Sequence, residues 1–465
     1  MKSALKIFVA ALGLVACSTT PKSTEVAESF QIRKFETQTL KNGLVVLWIP
    51  DQALPYVSFQ MMVKTGSSQD FRGKEGLAGF TAAMLEKGTK QRGAVRLAED
   101  MEQIGSSFSV SVEPDYTNMS LSSLSFDRDT ALELFHEVAL SPTFPQGEIN
   151  RHRKLLLGSL QKLADSPESF ADYLMPKFLF GDHPYGHESA GTPKSVRAIT
   201  QADMKRFYSN YYVPSNSVLA VVGQYDDAFK NKVIADFEGW KSQPLPNMDL
   251  PDFPKWNGLQ TLLVNRSDLN QAQIQIGFKG VPRNIPEYME LRAALKILGE
   301  SFGSRLFEEI RVRRGLTYHI RSWFDPRLKS GPMGIYTFTR VDKIGETVEE
   351  TLKTYRQFIK DGVTNGEVDT VKALMRGQFP RTFETPEALA YQLLILNRYG
   401  VPTSYLTGYY DTLNAISKES INATIRKYFD PENLRILVYA PKSKAEEPLR
   451  KLGKLEVREY GEFLQ

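Results

Sequence analysis

Two sets of side chains in this sequence could do chemistry. The first is an arginine and a tyrosine seven residues apart, Arg311 and Tyr318, in the stretch Gly303 to Tyr318, GSRLFEEIRVRRGLTY. A guanidinium and a phenol can each donate hydrogen bonds to an oxygen acceptor. The second set is the histidines, of which there are five. His183 and His187 are four apart with Glu188 adjacent, the spacing of a ligand pair on a helix. Pro184 and Gly186 lie between them and argue against such a helix, so a shared ligand face is not expected. His136, His152 and His319 are isolated, and isolated histidines are more often surface or packing groups.

A helix followed by a strand would position the arginine and the tyrosine. Ser304 can cap the helix through its hydroxyl. Glu308 and Glu309 near the start, and Arg311, Arg313 and Arg314 near the end, suit the helix dipole. Leu306 and Ile310, four apart, share one buried face. Gly315 is a good left-handed stop. Beyond it Leu316, Tyr318, Ile320 and Ser322 alternate with Thr317, His319 and Arg321, the period of a strand. Arg311 then sits in the last helical turn and Tyr318 at the start of the strand. Taken alone, the corner reads first as a dipole-complemented helix end with Tyr318 as packing.

The chain has 465 residues, 42% hydrophobic and 24% charged, which is ordinary for a globular protein of two to four domains. Its net charge is +4; Lys2 and Lys6 lie in a segment read below as removed, which leaves +2. That balance, with no basic block interleaved with aromatics, argues against nucleic acid. The N-terminus has a basic start, an apolar run IFVAALGL at 7–14 too short to span a bilayer, and then Leu14-Val15-Ala16-Cys17. This resembles a bacterial lipobox, in which the cysteine is lipidated and becomes the new N-terminus; the alternative is an ordinary signal peptide with an incidental cysteine. Cys17 is the only cysteine, so a disulfide framework does not account for it. Residues 1–16 are read as a signal peptide and 17–34 as a lipidated N-terminus and Ser/Thr-rich tether. Ser18 suggests outer-membrane sorting, facing the periplasm, with the lipid as the sole membrane anchor.

Strands are expected at Leu44–Ile49 and Tyr56–Val63, near 107–113 and 117–124, and at Val218–Val222. Helices are expected near 77–87, 94–104, 127–140, 147–164 and 168–179, with another opening at Thr200 in a capping-box-like Thr-x-x-Asp. Residues 242–257 carry four prolines and read as an extended linker. The pattern then restarts with a strand at Gln271–Phe278 and helices near 286–299, 304–314, 344–360 and 365–376. Ile199-Thr200-Gln201 matches Ile416-Ser417-Lys418, and Tyr211-Tyr212-Val213-Pro214-Ser215-Asn216 matches Tyr428-Phe429-Asp430-Pro431-Glu432-Asn433, at a constant offset of 217. Two homologous α+β domains follow, at 35–241 and 258–465.

With this repeat, the segments Gly76-Leu77-Ala78, Lys87-Gly88-Thr89 and His183-Pro184-Tyr185-Gly186, the paired aromatic–Pro-x-Asn turns and the corner Gly303 to Tyr318 form an ordered set from about Phe35 to about Pro441. In that order and spacing the chain resembles the insulinase/pitrilysin family of zinc peptidases, in the short form that includes mitochondrial processing peptidase. The resemblance implies two metallohydrolase-like domains, each a mainly antiparallel sheet packed with helices, together forming half of a clamshell.

Active members of that family carry His-x-x-Glu-His on the helix after Gly-Leu-Ala: two zinc ligands and a general base. Here those positions are Gly79, Ala82 and Ala83, and the later glutamate ligand falls near Ser159. None of these residues can bind a metal in that manner, so no zinc is expected in this chain. In the family an arginine and a tyrosine seven apart reach the active site of the opposing half. Arg311 and Tyr318 match that spacing, and the resemblance implies that they donate to the substrate carbonyl oxygen as it becomes an oxyanion.

The expectation is a non-zinc subunit of a heterodimeric metalloendopeptidase of the cell envelope, inactive alone. Zinc would sit in a homologous partner, and the substrate would be a peptide or unfolded protein. The alternative is a catalytically inert lipoprotein that binds peptides or scaffolds an envelope complex.

Overall fold

The computed structural model describes residues 32–465. The proposed signal peptide, Cys17 and most of the tether lie outside the described residues. The first half forms strands β1 (Glu36–Thr39), β2 (Val45–Pro50), β3 (Tyr56–Val63), β4 (Phe108–Val112), β5 (Thr117–Leu124) and β6 (Ser217–Gly223). The second forms β7 (Gln260–Asn265), β8 (Gln271–Lys279), β9 (Ile320–Phe324), β10 (Pro332–Arg340), β11 (Arg435–Ala440) and β12 (Lys454–Glu459). They make two six-stranded sheets, ordered β1-β2-β6-β3-β5-β4 and β12-β7-β11-β8-β10-β9.

The last five strands of each sheet follow the same order and directions. β2 and β6 are parallel, as are β7 and β11, and the remaining pairs among these five are antiparallel. The repeat holds at single-residue register: Gln60 faces Ala220 on β6 and Gln275 faces Leu437 on β11, and 220 and 437 differ by 217. The capped helices recur too, Gln201–Tyr211 on Thr200 and Lys418–Tyr428 on Ser417, each with a capping box. Only the outer edge differs, being built by the N-terminal strand β1 in one sheet and the C-terminal strand β12 in the other.

The central strands are buried on both faces. In the first sheet Val46, Trp48, Phe59, Met61, Leu219 and Val221 turn into a core with the half's own helices. The alternate residues Leu47, Ile49, Met62, Val218, Ala220 and Val222 are buried as well. They lie on the opposite face, where helix Pro386–Arg398 of the second half packs on β2, β3 and β6. The second sheet is treated reciprocally. Helix Pro167–Phe180 of the first half packs on β8 and β11, with Phe170 5.0 Å from the Tyr439 ring. A Cβ on Gly277 of β8 would come within 2.4 Å of Met175, so a glycine there permits the close approach. The repeat-related glutamines each reach the helix lent by the other half: Gln60 Nε2 donates to the Glu387 carbonyl at 3.2 Å and Gln275 Nε2 to Asp172 at 2.5 Å.

Asp115 ties the halves together from a buried turn. It accepts from the Tyr185 hydroxyl and from the Leu328 backbone N–H, both at 2.7 Å, while its own carbonyl accepts from Arg398 at 2.6 Å. The proline-rich 242–257 segment has no regular secondary structure, and it is docked. Leu250 and Phe253 are buried, Phe253 meets Phe180 edge-on at 4.9 Å, and Trp256 donates to the Leu179 carbonyl at 3.1 Å.

Candidate functional site

The Arg311/Tyr318 corner departs from expectation in three ways. Ser304 does not cap: its hydroxyl is buried without a partner among the described residues, and its backbone carbonyl accepts from Glu308. The helix is wound as a π-helix over Phe307–Arg313, a geometry that recurs at functional positions. The strand begins at Ile320, so Tyr318 sits in the connection before β9 rather than in the strand. The cause is the helix end. Gly315 is left-handed at φ 61°, as its type suggests, and the Gly315 and Leu316 N–H groups fold back onto the Arg311 and Ile310 carbonyls at 3.1 and 3.0 Å. These bonds occupy the backbone that would otherwise start a ladder, and they swing Tyr318 back alongside Arg311.

The result is a stack. The Arg311 guanidinium lies 4.6 Å from the Phe307 ring and 4.3 Å from the Tyr318 ring. Tyr318 is 74% exposed, an unusual position for a tyrosine whose only task is packing. Neighbouring arginines are committed elsewhere. Arg305 forks onto Glu367 at 2.7 and 2.9 Å, Arg313 pairs with Glu308 and Glu309, and Arg314 pairs with Glu309 and Glu350. Among the described residues Arg311 has no carboxylate partner. Its donors are held in orientation by two rings and left free, while the exposed phenol beside it offers a second donor.

Phe307, four residues before Arg311 and half of its stack, was not singled out in the sequence; the i, i+4 spacing was the available signal. His319 and Arg321 adjoin the corner. Desolvation holds the His319 imidazole below its usual range, with Arg321 and Arg311 adding to the effect and Glu168 opposing it.

The metal-motif positions lie on a short helix, Leu77–Ala83. It ends well before the expected residue 87. The helix starts against the segment 189–191. Gly76, left-handed at φ 89°, would place a Cβ 2.8 Å from Gly191 Cα, and Gly79 would place one 2.9 Å from the Ser189 carbonyl oxygen. Asp70 fastens the first turn, accepting from the Gly76 and Ala78 N–H groups at 2.7 Å each. Ala82 is buried, Ala83 half-buried, and Ser159, nearest the family's later glutamate, exposed. These residues do not fit a zinc ion: the face has no ligating side chain and its first ligand position is closed by backbone. Among the described residues no three His, Cys, Asp or Glu side chains gather as a metal group.

The histidine pair flanks a single 3₁₀ turn, Pro184–Gly186. His183 accepts from Tyr185 N–H at Nδ1 and contacts the Pro251 carbonyl at 3.0 Å through Nε2, so both ring nitrogens serve the fold. His152 lies against Phe80 at 4.9 Å and His136 contacts the Asp236 carbonyl at 3.2 Å. Both are packing groups, as isolated histidines commonly are.

Comparison with known proteins gives consistent matches. Residues 45–192 match the family described as insulinase (peptidase family M16), and residues 198–375 match the peptidase M16 inactive domain. The "Uncharacterized zinc protease YmxG" of Bacillus subtilis is 24% identical over 411 residues, covering 86% of this chain and 97% of that protein. The "Non-peptidase homolog YmxG" of Helicobacter pylori is 25% identical, covering 86% of this chain and 92% of its own length. A crystal structure described as a peptidase M16 inactive domain from Pseudomonas fluorescens superposes with a TM-score of 0.82 at 28% identity, covering 88% of this chain and 98% of that one.

Proposed function

The chain belongs to the insulinase (M16) peptidase family, and we propose that within it this protein is the non-zinc subunit of a heterodimeric metalloendopeptidase, supplying Arg311 and Tyr318 in trans. One observation carries the reading: Arg311 alone among the arginines of its helix lacks a carboxylate, and it is held between Phe307 and an exposed Tyr318. A guanidinium and a phenol so placed can bind a substrate carbonyl and strengthen that bond as charge develops on its oxygen. The closed face at Gly79 supports a division of labour in which the metal belongs to a homologous partner. The partner's substrate would be a peptide or unfolded protein. Lipidation at Cys17 would hold the complex at the envelope, on the outer membrane facing the periplasm.

The test is co-expression with a zinc-bearing homologue and purification of the complex. Arg311→Ala and Tyr318→Phe should each reduce peptidase turnover, by roughly 10²-fold for loss of one oxyanion donor. Arg313→Ala, whose arginine is ion-paired within its own helix, should be near neutral. Activity unchanged by both substitutions removes the trans role.

A second reading has its own support. The Helicobacter relative is called a non-peptidase homologue, and a subunit whose metal face is closed by backbone could serve as an inert peptide-binding or scaffolding lipoprotein. Arg311→Ala and Tyr318→Phe would then leave function intact.

A further inference from the structure

Beside the Arg311 stack lies a cavity of about 430 Å³ that neither the trans role nor the fold accounts for. One wall is β9, and the other runs from Gly299 to Phe302, the end of a second π-helical segment, Lys296–Glu300, and the two residues after it. Gly299 lets this wall lie directly on the strand; a Cβ there would sit 2.5 Å from the Ser322 nitrogen. Four aromatic side chains, Phe302, Phe307, Trp323 and Phe324, line it among polar and charged neighbours. Phe302 is 81% exposed and stands at the rim, edge-on to Phe307 at 5.2 Å. Together the exposed Phe302 ring and the edge of Phe307 put apolar surface at the mouth of the cavity.

The charges around the pocket are unbalanced. Arg292 forks onto Glu300 at 3.0 Å, and Lys296 reaches the same carboxylate at 3.2 Å, so two cations share one acid. Arg321 lines the cavity from the exposed side of β9 and rests over the Tyr336 ring at 5.5 Å, with no ion pair among the described residues. Asp172, whose carboxyl feels the Arg321 charge, lines a separate cavity that Arg321 also borders, and accepts from Gln275. Arg311 is unpaired as described above. Glu168 is the acid that faces His319 and Tyr336. The balance is positive, beside a partly aromatic cavity with room for a large side chain.

We propose that this pocket is a peptide subsite that takes an aromatic or large aliphatic side chain in its cavity and pairs the carboxylate of an adjacent acidic residue with Arg321. It rests on the preceding reading for the ligand's being a peptide, and adds which peptides are held.

The test is fluorescence anisotropy of the full-length chain, without any zinc partner, against fluorescein-labelled Gly/Ser nonapeptides whose central pair is Phe-Glu, Phe-Gln, Phe-Lys or Ala-Glu. Phe-Glu should bind tightest, by roughly two- to fivefold over Phe-Gln and by about tenfold or more over Ala-Glu. Arg321→Gln should bring Phe-Glu to the level of Phe-Gln, and Arg321→Glu should make Phe-Lys the preferred probe. Phe302→Ala should weaken Phe-Glu and Phe-Gln alike and keep their ratio. Equal binding of the four probes, no binding of any, or a preference that survives Arg321→Glu overturns the subsite. These variants keep Arg311 and Tyr318. Failure here alongside activity losses in Arg311→Ala complexes would count against the subsite alone, while the expected preferences beside an unaffected Arg311→Ala complex would count against the trans role alone.

Discussion

Gly79→Ala distinguishes a closed helix face from a vacant one. Gly79 is an interior residue of helix Leu77–Ala83. Alanine is favoured over glycine in a helix by about 1 kcal/mol, so on an open face the substitution should stabilise the protein. Here the new Cβ would lie 2.9 Å from the Ser189 carbonyl oxygen, a backbone atom rather than a flexible side-chain end. The segment bearing it is pinned from both sides: Gly191 abuts Gly76, and the Ser195 hydroxyl donates to the Glu75 carbonyl at 2.7 Å. Overpacking against such a wall costs about 1–3 kcal/mol, which offsets the propensity gain and leaves a net loss of up to about 2 kcal/mol. Gly158 is the internal control. It lies inside helix Gln146–Lys162, and a Cβ there would meet nothing within 4 Å. Gly158→Ala should therefore stabilise by about 0.5–1 kcal/mol. Urea-unfolding midpoints of the two variants should move in opposite directions from the parent. A rise at Gly79 matching that at Gly158 would show that the Ser189 segment yields, and the argument that the metal face is closed would fail. If it holds, restoring the motif as Gly79→His, Ala82→Glu and Ala83→His should not yield stoichiometric zinc on elemental analysis.

Three further outcomes follow from the same geometry. Asp115→Ala strands the Tyr185 hydroxyl and the Leu328 N–H in the interior and should cost about 1–3 kcal/mol, read as a lowered urea midpoint; an unshifted midpoint would remove Asp115 as the tie between halves. Arg311→Ala should cost at most about 1 kcal/mol, since it loses ring stacking alone, whereas Arg305→Ala should cost more by freeing Glu367 and the Gly362 carbonyl; equal losses in thermal unfolding would make Arg311 a structural residue. Burial holds the Glu188 carboxyl well above its usual range, against Arg327 and with Asp172. A carboxyl raised in the folded state contributes fully below its unfolded value near 4.5 and loses that contribution as pH rises through the folded value. Glu188→Gln removes this titration, so it should gain stability relative to the parent between pH 5 and pH 8, and parallel pH profiles of the two proteins would refute the assignment.

Much of the fold could be read locally. Alternation and turn residues locate β2, β3, β5 and β8 to within a residue or two, because each is short and has Pro, Gly or Asp close to an end. The repeat is visible where a capped helix, an aromatic pair and a Pro-x-Asn turn keep their spacing. The site was legible only as types and spacing. That Tyr318 stops short of β9 depends on which carbonyls the Gly315 and Leu316 N–H groups find, and that Ser304 fails to cap depends on the burial of its own hydroxyl. Asp115 could have been read as an ordinary turn residue after Pro114; its partners Leu328 and Arg398 are more than two hundred residues away, and no local pattern announces them. The exchange of helices between halves was equally silent, since an apolar helix carries no mark of which sheet it will cover.

That exchange has an implication for descent. Each sheet needs a helix borrowed from the other half, Pro386–Arg398 for the first and Pro167–Phe180 for the second. A single-length ancestor built this way would have left one side of its sheet in water until a second copy arrived. Two identical copies trading one helix each form a closed two-fold pair. The present chain has the layout of such a swapped pair after gene duplication and fusion, with the 242–257 segment as the seam. Fusion would have freed the two copies to diverge, so one could lose or gain a reactive face while the other kept the scaffold whole.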